Sequence, residues 1–360
     1  MSQNDTKQNM NGNKYLLIYH REDNDGVFSG SLFYDYLLNK LRIDSKNIHF
    51  LPADYNILSD FSKSYSDIET LKEKYDSIIM TDISFNDASY MKKLFKEYNN
   101  DFIWCDHHAP IIHLSHEKHF SETPGIRDTQ RSAILNVWKY LYDQFDEAYN
   151  QKKVPELLRI LSAYDSWTYE KEGYEFEYVR NINKAVTIKY NLDIYNVLPL
   201  VKMIRESYLD KQPSANMSGL YRDIPLIKEL HEYGKKLNDY DDIINKNIIM
   251  TSGDCSWEVR FEDKDRGRPL FHKACAIFHQ GATNSTMFKC LKNKGINHGL
   301  VFKHQPNGNW VLSMYNISDD EWTHCGDFLK ERYNGGGHKG AAGCTLTQEQ
   351  FIKILKTKTI

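Results

Sequence analysis

Four short stretches of the 360-residue chain carry side chains that could do chemistry together: His20-x-x-Asp23-x-Asp25-Gly26, Asp82, Asp106-His107-His108 and Asp165. They offer hard carboxylate oxygens and imidazole nitrogens without sulfur, a donor set that suits Mn²⁺ or Mg²⁺ better than a structural zinc site. Six first ligands drawn from this set exceed what one catalytic metal with open positions can use, but are reasonable for two ions sharing a bridging carboxylate. A metal pair of that kind activates water and binds phosphoryl oxygens for in-line attack, so these residues point to phosphoester hydrolysis. Each piece alone has a plainer reading. An aspartate after a strand is usually a turn or N-cap residue, and two adjacent histidines are usually a satisfied surface pair. Their coincidence shifts the balance, because one sheet edge would collect them all.

The elements that must position them are legible as apolar runs. Stretches 15–19, 48–51, 77–80 and 102–105 have the length and composition of buried strands, and each stops at or shortly before acidic or imidazole side chains. Rows spaced by four, Phe28, Leu32, Tyr36 and Phe33, Leu37, Leu41, predict a helix between the first two. Ile134, Trp138, Leu141 and Phe145 predict another, and Pro155 opens a short helix that delivers Asp165. Alternating strand and helix predicts an α/β fold with a parallel sheet, whose ligands bind beyond the carboxyl ends of the strands. Residues 191–250 read as a helical connector broken at Gln212-Pro213-Ser214. Short apolar runs at 275–278, 300–302 and 310–314 then predict a smaller α/β domain. The expected organisation is a flexible stretch 1–13, a catalytic domain 14–190, the connector 191–250 and a second domain 251–360.

Composition narrows the partners. Lys plus Arg total 46 against 49 Asp plus Glu, a formal charge of −3, so no global basic field favours a long nucleic acid. With 41% hydrophobic and 26% charged residues the chain has an ordinary globular mixture. No apolar run approaches the roughly 18 residues of a membrane span, and the polar, Asn-rich start lacks an apolar signal core. A cytoplasmic protein is the expectation. The cysteines at 105, 255, 275, 290, 325 and 344 form no C-x-x-C pair, which argues against a disulfide framework or a cysteine-rich zinc site.

The tripeptide Asp106-His107-His108 resembles the signature that names the DHH phosphoesterase superfamily. The opening His20-Arg21-Glu22-Asp23-Asn24-Asp25-Gly26, with Ser29 after it, is similar to that superfamily's first motif, and Asp82 and Asp165 stand where its second and fourth are expected. Near the other end, Gly335-Gly336-Gly337-His338-Lys339-Gly340-Ala341-Ala342-Gly343 resembles the glycine-rich signature of the DHH-associated C-terminal domain. The resemblance implies two manganese ions, with magnesium as a substitute. It assigns His20 and Asp23 to one ion, Asp25, His107 and Asp165 to the other, and Asp82 to the bridge between them. Asp106 would orient a histidine, and His108 would face the scissile phosphate.

Gly335, Gly336 and Gly337 would cradle an anion with backbone N–H groups, with His338 adding a side-chain donor. Relatives of the family carry Ser-x-Arg in the preceding strand, whereas Ser313-Met314-Tyr315 offers a tyrosine. Tyr315 is read as a base-stacking residue or a core residue, and Arg266 and Arg268 as alternative anion contacts. The implied activity is a manganese-dependent phosphodiesterase of the nanoRNase-like branch, trimming short oligonucleotides, or cyclic mono- or dinucleotides, to mononucleotides. A pyrophosphatase, polyphosphatase or nucleoside-bisphosphate phosphatase, and a nucleotide-binding protein without turnover, are the alternatives. The expected partner is a small nucleotide, and the sequence leaves monomer and homodimer both open.

Overall fold

A computed structural model describes residues 12–108, 122–142, 154–209, 224–263, 268–281, 283–318, 324–337 and 339–357. The expectations for Phe145, Gln212-Pro213-Ser214, Arg266, His338 and nearly all of 1–13 lie outside the described residues. The chain divides into two compact units, Met1–Leu237 and Asn238–Ile360.

In the first unit, β1 (Tyr15–His20), β2 (Ile48–Ala53), β3 (Ser77–Thr81) and β4 (Phe102–Cys105) form a parallel sheet in the order β2-β1-β3-β4. These are the four apolar runs of the sequence, the first three lengthened by a residue or two and the fourth with the same bounds. Helices α1 (Asn24–Asp35), α2 (Tyr55–Ser64), α3 (Ile68–Lys72) and α4 (Ala88–Tyr98) lie between the strands in sequence, and α5 (Ala133–Tyr142), α6 (Glu156–Asp165), α7 (Phe176–Tyr190) and α8 (Ile194–Leu209) follow. Along β1 the side chains alternate between two cores. Tyr15, Leu17 and Tyr19 join Phe28, Leu32, Ile134 and Trp138, while Leu16 and Ile18 join Leu58, Leu71 and Leu94. The period of two buries both faces of the sheet, which is why its strands read as unbroken apolar runs.

The strand order reverses between β1 and β3: the chain leaves β1 for β2 on one side and returns to β3 on the other. At such a switch point the crossover connections diverge and leave a crevice beyond the carboxyl ends of the two strands. The segment read as a connector is part of this unit's core. Val197, Leu200, Val201 and Ile204 of α8 are buried with the α1 side chains, as are Ile227 and Leu230 of the long helix α9 (Ile224–Ser252). Arg205 of α8 pairs with the fully buried Asp35. Helical periodicity reported a helix there but not what the helix packs against.

The second unit holds a mixed six-stranded sheet of β5 (Asp254–Asp263), β6 (Arg268–Phe278), β7 (His298–His304), β8 (Trp310–Asn316), β9 (Gly336–Gly337) and β10 (Ala341–Leu346), in the order β5-β6-β7-β8-β10-β9. The β6–β7 pair is parallel and the others are antiparallel. Phe328 and Leu329 of α10 (Cys325–Tyr333) and Phe351 and Ile354 of α11 (Gln348–Thr357) are buried with Trp257, Phe302, Leu312 and Leu346. The expected α/β class holds for both units.

Candidate metal centre

Each metal-type side chain of the first unit stands at the end of an element. His20 ends β1, and Asp23 caps the start of α1, its Oδ1 accepting the Gly26 N–H at 2.9 Å. A Cβ on Gly26 would overlap the His20 carbonyl, so glycine is what lets α1 begin against the strand end. Asp25 lies in the first turn of α1, 2% exposed, and its carboxylate accepts the Ala133 and Ile134 N–H groups at 2.7 and 2.9 Å. Those are donors at the N-terminus of α5, where a negative charge is favoured. Asp165 is the last residue of α6.

Asp82 follows β3 with φ of 56°, in the left-handed region, and is 1% exposed. A residue other than glycine in that region stores strain of about 1–2 kcal/mol, which is held only when the surroundings impose it. Its N–H donates to the Cys105 carbonyl at 3.0 Å, tying the residue to the end of β4. Asp106, fully buried, accepts at Oδ1 from the His107 and His108 N–H groups at 2.7 and 3.2 Å, and from His108 Nδ1 at 2.8 Å. Trp104 Nε1 donates to its Oδ2 at 3.3 Å.

The cluster closes around Asp82. His20 Nδ1 lies 3.0 Å from Asp23 Oδ2 and 3.5 Å from Asp82 Oδ2. On the other side, His107 Nε2 lies 3.2 Å from Asp82 Oδ1, 3.3 Å from Asp165 Oδ2 and 3.6 Å from Asp25 Oδ2. Among the described residues, His20, Asp23 and Asp82 form one group of potential ligands within 4.8 Å, and Asp25, His107 and Asp165 another. Asp82, His107 and His108 form a third. Both oxygens of Asp82, Asp165 Oδ2 and His20 Nδ1 are buried without a hydrogen-bond partner. Buried acceptors left so are costly unless a cation is present to receive them. The donor set of oxygens and imidazole nitrogens, with unshared atoms converging, fits divalent ions such as Mn²⁺ or Mg²⁺.

The electrostatics say the same. Burial, then the carboxylates of Asp25 and Asp23, hold Asp82 well above the usual carboxylate range, and the same causes raise Asp165. Burial opposes charge on His20, but Asp23 and Asp82 outweigh it and push the imidazole up to about 11. Burial likewise opposes charge on His107 and His108; Asp25 and Asp165 raise the first, and Asp106 the second. Asp106 is held low by His108 despite its burial. Without a metal, the cluster is a crowd of carboxylates that retain protons and draw them onto the histidines.

Two further residues escape a sequence reading. Tyr55, the first residue of α2, lies with its ring 6.4 Å from His20. Burial, then the charges of Asp106, Asp82 and Asp23, push its phenol up to about 12. Trp167 lies two residues past Asp165. Both follow an aspartate at an element boundary, a signal only after the boundary is known to face the cluster.

In the second unit, Gly336 and Gly337 form the edge strand β9, paired with Gly343 and Ala342 of β10, and both are exposed. Gly337 has φ of 140° and meets β10 so closely that a Cβ would press on Ala342. Gly335, next to them, donates its N–H to the Leu329 carbonyl at 3.0 Å. Tyr315 is a correction to the base-stacking expectation. It is 8% exposed and buried with Phe288, Ile277 and Val301, and its hydroxyl donates to the Thr283 carbonyl at 3.1 Å, so no ring face is open to a base. Arg268 begins β6, exposed.

No family model matches the chain, and no curated protein matches it. Solved structures do. A pGpG-specific phosphodiesterase, PggH, from Vibrio cholerae is 15% identical over 96% of this chain and 97% of its own, with a TM-score of 0.46. An exopolyphosphatase-related protein from Bacteroides fragilis is 15% identical over 96% and 91%, with a TM-score of 0.43. RecJ from Thermus thermophilus in complex with Mn²⁺ is 12% identical over 96% of this chain and 51% of its own, with a TM-score of 0.44. Among the described residues no helix is long and apolar enough to cross a membrane.

Proposed function

We propose that this chain is a metal-dependent phosphodiesterase of the DHH superfamily. It hydrolyses short oligonucleotides, or cyclic mono- or dinucleotides, to nucleoside monophosphates, in the manner of the nanoRNase-like branch. The observation that carries the reading is Asp82: a buried carboxylate whose two oxygens face the imidazoles of different ligand groups, Oδ2 toward His20 and Oδ1 toward His107. In this reading His20 and Asp23 hold one manganese ion, Asp25, His107 and Asp165 hold the other, and Asp82 is shared. When bound, the ions supply an acidified water and neutralise phosphoryl charge.

The chain's own residues do the rest. Asp25 is fixed by two α5 N–H groups before any ion arrives, so its position costs no reorganisation. Asp106 takes His108 at Nδ1, which turns the other ring nitrogen away from the carboxylate and toward a donor role at a phosphoryl or leaving oxygen. The burial of Asp82 and Asp106 keeps water from screening these interactions. In the second unit the exposed backbone edge of Gly336 and Gly337 is assigned, with His338, to a phosphate of a nucleotide; Gly335 drops out of that assignment because its N–H is taken by the Leu329 carbonyl.

The test is a panel of dinucleotides, cyclic mono- and dinucleotides, nucleoside bisphosphates, pyrophosphate and polyphosphate, incubated with the full chain and Mn²⁺. Mononucleotide release from the dinucleotides or cyclic nucleotides is expected. Hydrolysis confined to pyrophosphate, polyphosphate or bisphosphates would reassign the enzyme, and tight nucleotide binding without product would make it a sequestering protein.

A further inference from the structure

We infer that Trp167 is the platform on which a nucleobase of the substrate stacks beside the metal centre. The inference rests on the phosphodiesterase reading for the phosphate chemistry and adds a base-recognition site in the first unit. Trp167 follows Asp165 by two residues, so their Cα atoms are at most about 7 Å apart. Trp167 stands just past the Ser166 cap of α6 with φ of 56°, a left-handed, helix-ending conformation that glycine or asparagine usually adopts and in which a tryptophan is strained. The indole is nevertheless 61% exposed, so the core does not demand it. Ending α6 explains the backbone conformation there but not the choice of a large, mostly exposed indole two residues past Asp165.

The surroundings hold that indole in one orientation. Ser166 N–H donates to the Ser162 carbonyl at 2.9 Å and Thr168 N–H to the Ala163 carbonyl at 3.1 Å, fixing the backbone on both sides. The Ser166 and Thr168 hydroxyls share a hydrogen bond at 3.0 Å across the residue. The indole lies 15° from the plane of Phe176, with centroids 5.7 Å apart. Phe176 in turn lies 15° from Tyr164, the residue before Asp165, at 6.4 Å. Tyr169 braces the stack, 6.1 Å from Trp167 and 5.3 Å from Phe176. Three near-parallel rings therefore lead from the residue beside Asp165 outward to an indole that leaves most of its surface to solvent.

A nucleobase presents a π-face that continues such a stack, and aromatic stacking binds any base without reading its edge. Phosphate chains without bases have no face to offer. The platform thus selects nucleotides over pyrophosphate or polyphosphate and tolerates different bases.

The full chain, Trp167→Phe and Trp167→Ala are compared with Mn²⁺ on a dinucleotide and on the same dinucleotide lacking its bases. Trp167→Ala is expected to raise KM for the dinucleotide about tenfold with kcat unchanged, whereas Trp167→Phe keeps most of the wild-type affinity. On the abasic compound the three proteins behave alike. An unchanged KM for the dinucleotide in Trp167→Ala, or an equal rise on the abasic compound, overturns the inference. If the wild type cleaves neither compound, the phosphodiesterase reading fails separately. Calorimetric titration of the dinucleotide in Mn²⁺ then decides stacking alone: about tenfold weaker binding to Trp167→Ala supports it, and equal or absent binding to both overturns it.

Discussion

Two groups of histidines behave in opposite ways. In the first unit His20 is pushed up to about 11 by Asp23 and Asp82 against its burial. In the second, His298 of β7 is fully buried and held down to about 3 by that burial and by the neighbouring His272 of β6. The pair His272 Nδ1 and His298 Nε2 share a hydrogen bond at 3.0 Å, with rings 12° from parallel beside Phe261. Burial opposes charge in both places, and the company of each ring decides the outcome. The paired rings hydrogen-bond one another, whereas the carboxylate cluster holds buried acceptors, both oxygens of Asp82 and Oδ2 of Asp165, that suit a cation.

The largest effect that would break this contrast concerns Asp82. Asp82→Ala is expected to reduce turnover to background in the substrate panel and to abolish the rise in melting temperature that Mn²⁺ gives the wild type. That rise corresponds to about 2.7 kcal/mol at an ion concentration a hundred times Kd. Without metal the sign reverses: Asp82→Asn should melt above the wild type, because a buried carboxylate beside Asp25 and Asp23 has been removed. A metal-free wild type that melts higher would mean the cluster satisfies itself.

Asp106 sharpens the contrast, since it supports His108 as His272 supports His298. Asp106→Asn should lower kcat about 10–100-fold, with Mn²⁺ affinity measured alongside, because the ring loses its charged anchor. The second unit carries the pH test. The depressed pKa of His298 means that the unfolded chain binds the extra proton first, so stability is intact above about 6.5 and falls as pH drops toward 3. Its share is about 2 kcal/mol at pH 5. Urea titrations should show that acid arm in the wild type and a flatter one in His298→Gln. The smallest change is Tyr315→Phe, which removes a buried hydroxyl and should cost about 1 kcal/mol in the same titrations with KM untouched. A raised KM at unaltered stability would return Tyr315 to the substrate.

The strands and the side chains at their ends were legible because both signals are local. A short apolar run leading to Asp82 or to Asp106-His107-His108 needs no knowledge of the rest of the chain. The base-stacking expectation for Tyr315 failed for the converse reason. Its ring is covered from other strands and from the segment Ser285–Leu291, which includes Phe288, and no periodicity within β8 reports that. Trp167 and Tyr55 were missed on the same ground, since exposure and neighbourhood are properties of the folded chain.

By itself, then, the sequence determined that hard ligands would gather at one edge of a parallel sheet, because strand periodicity and the direction of crossovers bring carboxyl ends together. Only the tertiary structure decided the left-handed backbone of Asp82, the clamp of α5 on Asp25 and the burial of α8 against α1. Each of these joins residues far apart in the chain, and their energies depend on desolvation and packing that exist only once those partners have met.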